Sequence, residues 1–88
     1  MKLSKPIVEK RILEMVKNHT RDLDKTKKLL TTTAHISSCG PDSLDICDII
    51  ADVETEYGII ISSDTEAELT PLTVEKLAGY VIASWKDS

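Results

Sequence analysis

The sequence predicts an all-α fold, a small four-helix bundle with a long first loop and a short third helix. Three observations carry this. Apolar residues recur at the 3.6-residue helical period in four stretches. Start residues and a stop glycine bracket the clearest of them. Gly and Pro number 3 each in 88 residues, too few for a turn-dense all-β chain. The hydrophobic fraction is 41%, enough for a modest core and too high for a disordered tail. Aromatics are 3% with no Phe, so the core must be built from Ile, Leu and Val. A chain of this length is one small domain.

The first helix spans Pro6–His19. Pro6 suits a first turn, where its missing N–H costs nothing. Val8, Ile12, Met15, Val16 and His19 fall on one face, and His19 reads as a helix-end or half-buried residue. Thr20–Asp42 reads as a long connection, pinned to the core by Leu23, Leu29 and Leu30. Its Thr31-Thr32-Thr33 run disfavours helix, and Ser37-Ser38-Cys39-Gly40-Pro41 is a breaker cluster. A connection this long in a small domain is functional or partly structured.

The second helix, Ser43–Tyr57, is the best defined. Asp42 is a good N-cap and Gly58 stands where a helix stops. Ile46, Ile49, Ile50, Val53 and Tyr57 share an apolar stripe; Asp45, Asp48, Asp52 and Glu56 share an acidic one. Like charges at this spacing destabilise a helix by a few tenths of a kcal/mol per pair, roughly. Asp45 is favoured by the helix dipole. Asp48, Asp52 and Glu56 have no local basic partner, which points to an external one. After an apolar Ile59-Ile60-Ile61 stretch, a short third helix is expected over Asp64–Leu69. It is opened by Ser63-Asp64-Thr65-Glu66 as a capping box and ended by Pro71. Thr73 caps the last helix, Val74–Trp85, whose Val74, Leu77, Ala78, Val81 and Trp85 face one way.

The net charge of −4 hides a division. Residues 1–30 hold nine bases and four acids; residues 31–88 hold two bases and eleven acids. The acidic part repels nucleic acid and attracts basic protein patches. The basic third lacks interleaved aromatics, so no nucleic-acid partner is expected. No apolar run approaches the roughly 20 residues of a membrane span. Residues 1–16 have neither the unbroken apolar stretch of a secretory signal nor the acid-free composition of a transit peptide. Two cysteines, Cys39 and Cys47, make no disulfide scaffold, so a cytoplasmic protein is expected.

Enzyme motifs are missing: there is no G-x-S-x-G elbow, no phosphate-cradling glycine loop and no H-E-x-x-H. His35, Cys39 and Cys47 match no zinc spacing, and Asp42, Asp45 and Asp48 lack the alternation and central Gly of a calcium loop, so no metal is expected. The informative segment is Gly40-Pro41-Asp42-Ser43-Leu44-Asp45. A phosphate ester on Ser43 would lie by the free N–H groups and positive end of the helix dipole. The alternative is that Ser43 merely starts the helix.

Asp42-Ser43-Leu44 after Gly40, followed by an amphipathic helix ending in Glu54-Thr55-Glu56-Tyr57-Gly58, resembles an acyl carrier protein. The likeness runs from about Gly40 to Val81, with a first helix before it. It implies a carrier without catalysis of its own. Ser43 would hold a 4'-phosphopantetheine arm, placed there from coenzyme A by a phosphopantetheinyl transferase. The arm's thiol would present acyl intermediates to synthase and transferase enzymes with basic docking patches. The resemblance gives partner contact to Asp42, Leu44, Asp45, Cys47, Asp48, Ala51, Asp52, Glu54 and Ile61, and an acyl-chain pocket to Ile49, Val53 and Leu77. For these last three, ordinary core packing is an equal alternative. Docking through acids should weaken with salt. The stretch His35-Ile36-Ser37-Ser38-Cys39 departs from the aromatic and acidic-leucine pattern of the family, and Pro41 replaces a small residue. These departures imply a specialised carrier rather than a general one; a monomer is expected. An aminoacyl or peptidyl carrier and an unmodified helical interaction module are the alternatives.

Overall fold

Among the described residues, 3–85 of a computed structural model, the chain forms five α-helices and no strands. The outer residues of the expected 1–88 domain, 1–2 and 86–88, lie outside this description. Helix α1 covers Lys5–His19 and buries Val8, Ile12, Met15 and Val16. Helix α3 covers Ser43–Tyr57 as expected and buries Ile49, Ile50 and Val53. Helix α5 covers Val74–Ser84 and buries Val74, Leu77, Ala78 and Val81. It stops one residue before Trp85, whose N–H instead closes the helix on Val81 O at 2.7 Å. Helix α1 packs against both α3 and α5, so three apolar stripes meet in one core. Tyr57 and Trp85 meet edge to face at the far end, with ring centroids 6.3 Å apart. The radius of gyration is 12.2 Å, that of a compact chain of this size. No helix among the described residues is long and apolar enough to cross a membrane.

The long first connection corrects the four-helix expectation. It holds a further helix, α2, over Leu23–Leu29, and a 3-10 turn over Ile36–Ser38. Asp22 caps α2 by accepting the Lys25 N–H at 3.1 Å. The helix ends before the Thr31-Thr32-Thr33 run. Only Leu30 of the three expected pinning leucines packs on the core; Leu23 and Leu29 are 42% and 49% exposed. The helical period turns Thr26 inward in their place, and it is fully buried.

Thr26 is the centre of a hydrogen-bond chain. Asp22 N–H donates to Thr20 Oγ1 (3.3 Å) and the Thr20 and Thr26 hydroxyls meet at 2.7 Å. The Thr26 hydroxyl donates to Cys39 O at 2.6 Å. A short approach follows: Gly40 has φ +123°, and a Cβ there would lie 2.6 Å from Thr26 Oγ1. Only glycine fits. Two further bonds fasten the connection to the start of α5 and the turn before it, Ile36 N–H to Leu72 O at 2.9 Å and Glu75 N–H to Thr32 O at 2.8 Å.

Helix α4 covers Ser63–Leu69, and its cap is Ser62, not Ser63. Ser62 has extended backbone (φ −70°, ψ 165°) and its hydroxyl accepts the Thr65 N–H at 3.2 Å, whereas Ser63 is already helical. Thr73 caps α5 by accepting the Lys76 N–H at 3.0 Å.

Candidate functional site

Ser43 is the first residue of α3 and is exposed. Its position is set on both sides. Upstream, the Thr26–Cys39 bond and Gly40 hold the approach, and Pro41 is buried. Around it, a capping box closes the helix start: the Asp42 carboxylate accepts the Asp45 N–H at 2.8 Å, and the Asp45 carboxylate accepts the Asp42 N–H at 3.1 Å. The Asp45 bond, with Arg21 in support, holds the Asp42 carboxyl below its ordinary value. The Ser43 hydroxyl makes no hydrogen bond to the described residues, so its oxygen is free to react.

A cleft of about 270 Å³ opens beside Ser43. Ser37 of the 3-10 turn, Ser43, Ile46 and Cys47 of α3, and Glu66 of α4 line it, with Thr70, Pro71 and Leu72 of the following turn. The expected acyl-pocket residues lie in the interior. Ile49, Val53 and Leu77 are at most 1% exposed in the closed core and do not line the cleft.

The acids of α3 have internal partners, against the expectation that Asp52 and Glu56 have none. Arg11 of α1 donates to both Glu56 carboxylate oxygens, at 2.9 and 3.3 Å. That hydrogen bond lowers the Glu56 carboxyl from its ordinary value and raises the guanidinium. His19 Nε2 lies 2.5 Å from Asp52 Oδ2. Arg21 Nε lies 2.5 Å from Asp42 Oδ2 and 4.0 Å from Asp45. Sequence reading missed these pairs because their bases lie on α1 and just beyond it, more than 20 residues away. Glu54 accepts the Ile61 N–H at 2.8 Å and so ties down the loop after α3. Asp48 alone among the acids of α3 has neither a base nor a backbone donor among the described residues.

Of the apolar residues expected to meet partners, Leu44 is 66% exposed, and Cys47 and Ala51 are exposed on the same outward face. Ile61 is placed differently from these three. It is 8% exposed and belongs to the core, while its neighbour Ile60 is 80% exposed. The Glu54 carboxylate takes the Ile61 amide, and that bond anchors the residue as its side chain turns inward. Cys39 is buried, which pushes its thiol pKa up, and its Sγ donates to His35 O at 3.2 Å.

No three His, Cys, Asp or Glu side chains among the described residues are grouped to hold a metal ion. The exposed Ser43 hydroxyl, the start of α3 and the open cleft meet at one point. Thr26, Gly40 and the cleft rim at Thr70–Leu72 were missed as parts of the site. The Gly-Pro pair marked a turn, but nothing local in the sequence ties it to Thr26. Compared with protein-family models, curated proteins and solved structures, the chain has no significant match.

Proposed function

We propose that the chain is a phosphopantetheine-dependent acyl carrier, with Ser43 as the attachment residue. The observation that carries this is an exposed, unengaged hydroxyl at the first residue of α3, opening on a cleft. Ser43 Oγ gives up its proton as its bond to phosphorus forms, and the nucleotide half of coenzyme A leaves. A phosphopantetheinyl transferase performs that step; the carrier does no catalysis of its own. The helix N-terminus stabilises the phosphate charge. Arg21, beside Asp42, offsets the repulsion that the Asp42 and Asp45 carboxylates exert there. When bound, the arm supplies a terminal thiol that holds cargo as a thioester.

Acyl cargo is favoured over aminoacyl cargo because Ile46, Pro71 and Leu72 make the cleft wall beside Ser43 largely apolar. Burial of chain there is worth about 0.8 kcal/mol per CH₂, small enough to permit release. The tether raises the cargo's effective concentration at each docked enzyme. Fatty-acid, lipid or polyketide-type synthesis in the cytoplasm is the setting this implies.

Intact mass after incubation with coenzyme A and a broad-specificity transferase tests the proposal. The wild type should gain one arm and Ser43→Ala none. No gain on the wild type would favour an unmodified interaction module, and a gain that survives Ser43→Ala would move the site. Loading of amino acids in place of acyl groups by cognate enzymes would point to an aminoacyl carrier.

A further inference from the structure

We infer that the outward face of α2 docks the chain on an anionic phospholipid surface, by charge and without insertion. The face stands independently of the carrier reading; that it brings the Ser43 arm to a lipid boundary rests on that reading.

Thr26 fixes which way α2 points. It is fully buried, so at about 100° per residue Lys28 stands nearly opposite it, with Lys25 and Lys27 to either side. All three lysines are exposed, and none has a carboxylate partner among the described residues. Other bases of the first third are spent internally: Arg11, His19 and Arg21 meet Glu56, Asp52 and Asp42. Asp22 caps α2, and Asp24 is the one acid within it, so the helix keeps a positive outer face.

Leu23 and Leu29 fall at the shoulders beside Thr26, which leaves the outer face to charged side chains alone. A packed protein interface has an apolar, charge-depleted core in which Lys is scarce. Helix α2 offers no such core, and it lines neither the cleft at Ser43 nor the one at Tyr57 and Trp85. Nor does it carry aromatics on which nucleic-acid bases would stack. Lysines are hydrated point charges that ask no fixed geometry of an anion. Laterally mobile phosphodiester headgroups satisfy them. The net charge of −4 opposes the approach, but exposed charges more than about 8 Å away are largely screened at physiological salt. The contact is therefore weak and reversible. Thr26 and Arg21 tie this segment to Cys39 and Asp42, so α2 adjoins the approach to Ser43.

Sedimentation of the full, unmodified chain with vesicles tests this. At about 0.05 M NaCl the wild type should bind vesicles of phosphatidylglycerol and phosphatidylcholine in equal parts and ignore phosphatidylcholine alone, and about 0.5 M NaCl should abolish binding. Lys25→Gln with Lys28→Gln should weaken binding about 25-fold, at about fivefold per lysine near an anionic surface. Lys10→Gln with Lys76→Gln removes the same two charges from α1 and α5 and should change it by less than about threefold. Equal losses in the two variants, or no vesicle binding by the wild type, overturn the inference. Retention of the wild type on immobilised polyglutamate through Lys25 and Lys28, without vesicle binding, gives the face to an acidic protein and overturns the lipid surface. Gln and Lys have similar helix propensity, and circular dichroism confirms equal helicity. Arm attachment by a broad-specificity transferase is read separately by intact mass. No arm on the wild type overturns the carrier reading and leaves vesicle binding standing.

Discussion

Residues 20–42 and 43–58 are neighbours in sequence and are ordered by opposite means. Helix α3 is closed at both ends by residues within a turn of its own backbone. Asp42 and Asp45 cap each other's amides, and Gly58, at φ +63°, donates its N–H to Glu54 O. The preceding segment depends on partners far along the chain. Thr26 reaches Cys39 O, Ile36 reaches Leu72, and Thr32 receives Glu75. Yet the distant contacts of 20–42 aim the local helix, because Gly40 is held against Thr26 only two residues before Asp42. Ser43, on a helix closed by its own ends, is thus placed by a segment that depends on distant partners.

The two glycines break this comparison most sharply. Gly40→Ala must place a Cβ 2.6 Å from Thr26 Oγ1 at a positive φ, so a loss of about 3 kcal/mol is expected. Gly58→Ala has a positive φ but nothing within 4 Å of the new Cβ, so about 1 kcal/mol is expected. Thermal melts give the ranking, at roughly 4–8 °C per kcal/mol for a domain this size. Hydrogen exchange in Gly40→Ala should quicken first at the Thr26 and Leu30 amides, and later in α3. Equal melting shifts for the two variants would mean that segment 20–42 does not lean on Gly40.

Thr26→Val comes next. The shape is kept, but Cys39 O and the Thr20 hydroxyl lose their buried partner, at a cost of about 1–3 kcal/mol. Denaturant melts of the variant measure it; a change under about 0.5 kcal/mol would show that packing alone holds α2.

The smallest effect is electrostatic and sharpens the view of α3. Asp42 and Glu56 have carboxyls lowered in the folded chain, the first mainly by the Asp45 amide and the second mainly by the Arg11 hydrogen bond. The unfolded chain therefore binds more protons as the solution is acidified. The stabilisation is complete above the ordinary values of 3.8 and 4.5, and is lost as pH falls through and below them. Melting temperature should drop on acidification, and Glu56→Gln should flatten that drop. An unchanged pH profile in Glu56→Gln would show the Arg11 pair to be inert.

Much of this was legible. The bounds of α3, its apolar stripe and the Thr73 cap follow from spacing and end residues. Helix α2 was not legible because its apolar residues are few and its inward residue is a threonine. The pairs Arg11–Glu56 and His19–Asp52 were not legible because helix packing, not spacing, sets a base opposite an acid. That Ile61 and not Ile60 turns inward was not legible because in a run of three isoleucines no period singles one out.

The amino-acid order alone determined the long helices, their caps and the serine at the head of α3, since those depend on interactions spanning no more than a turn or so. Tertiary structure decided the rest: that Arg11 and His19 of α1 meet Glu56 and Asp52 of α3, that residues 20–42 are ordered, and that an open cleft adjoins Ser43. These depend on surfaces from separate segments meeting in three dimensions, and the distance along the chain between such partners carries no periodic signal.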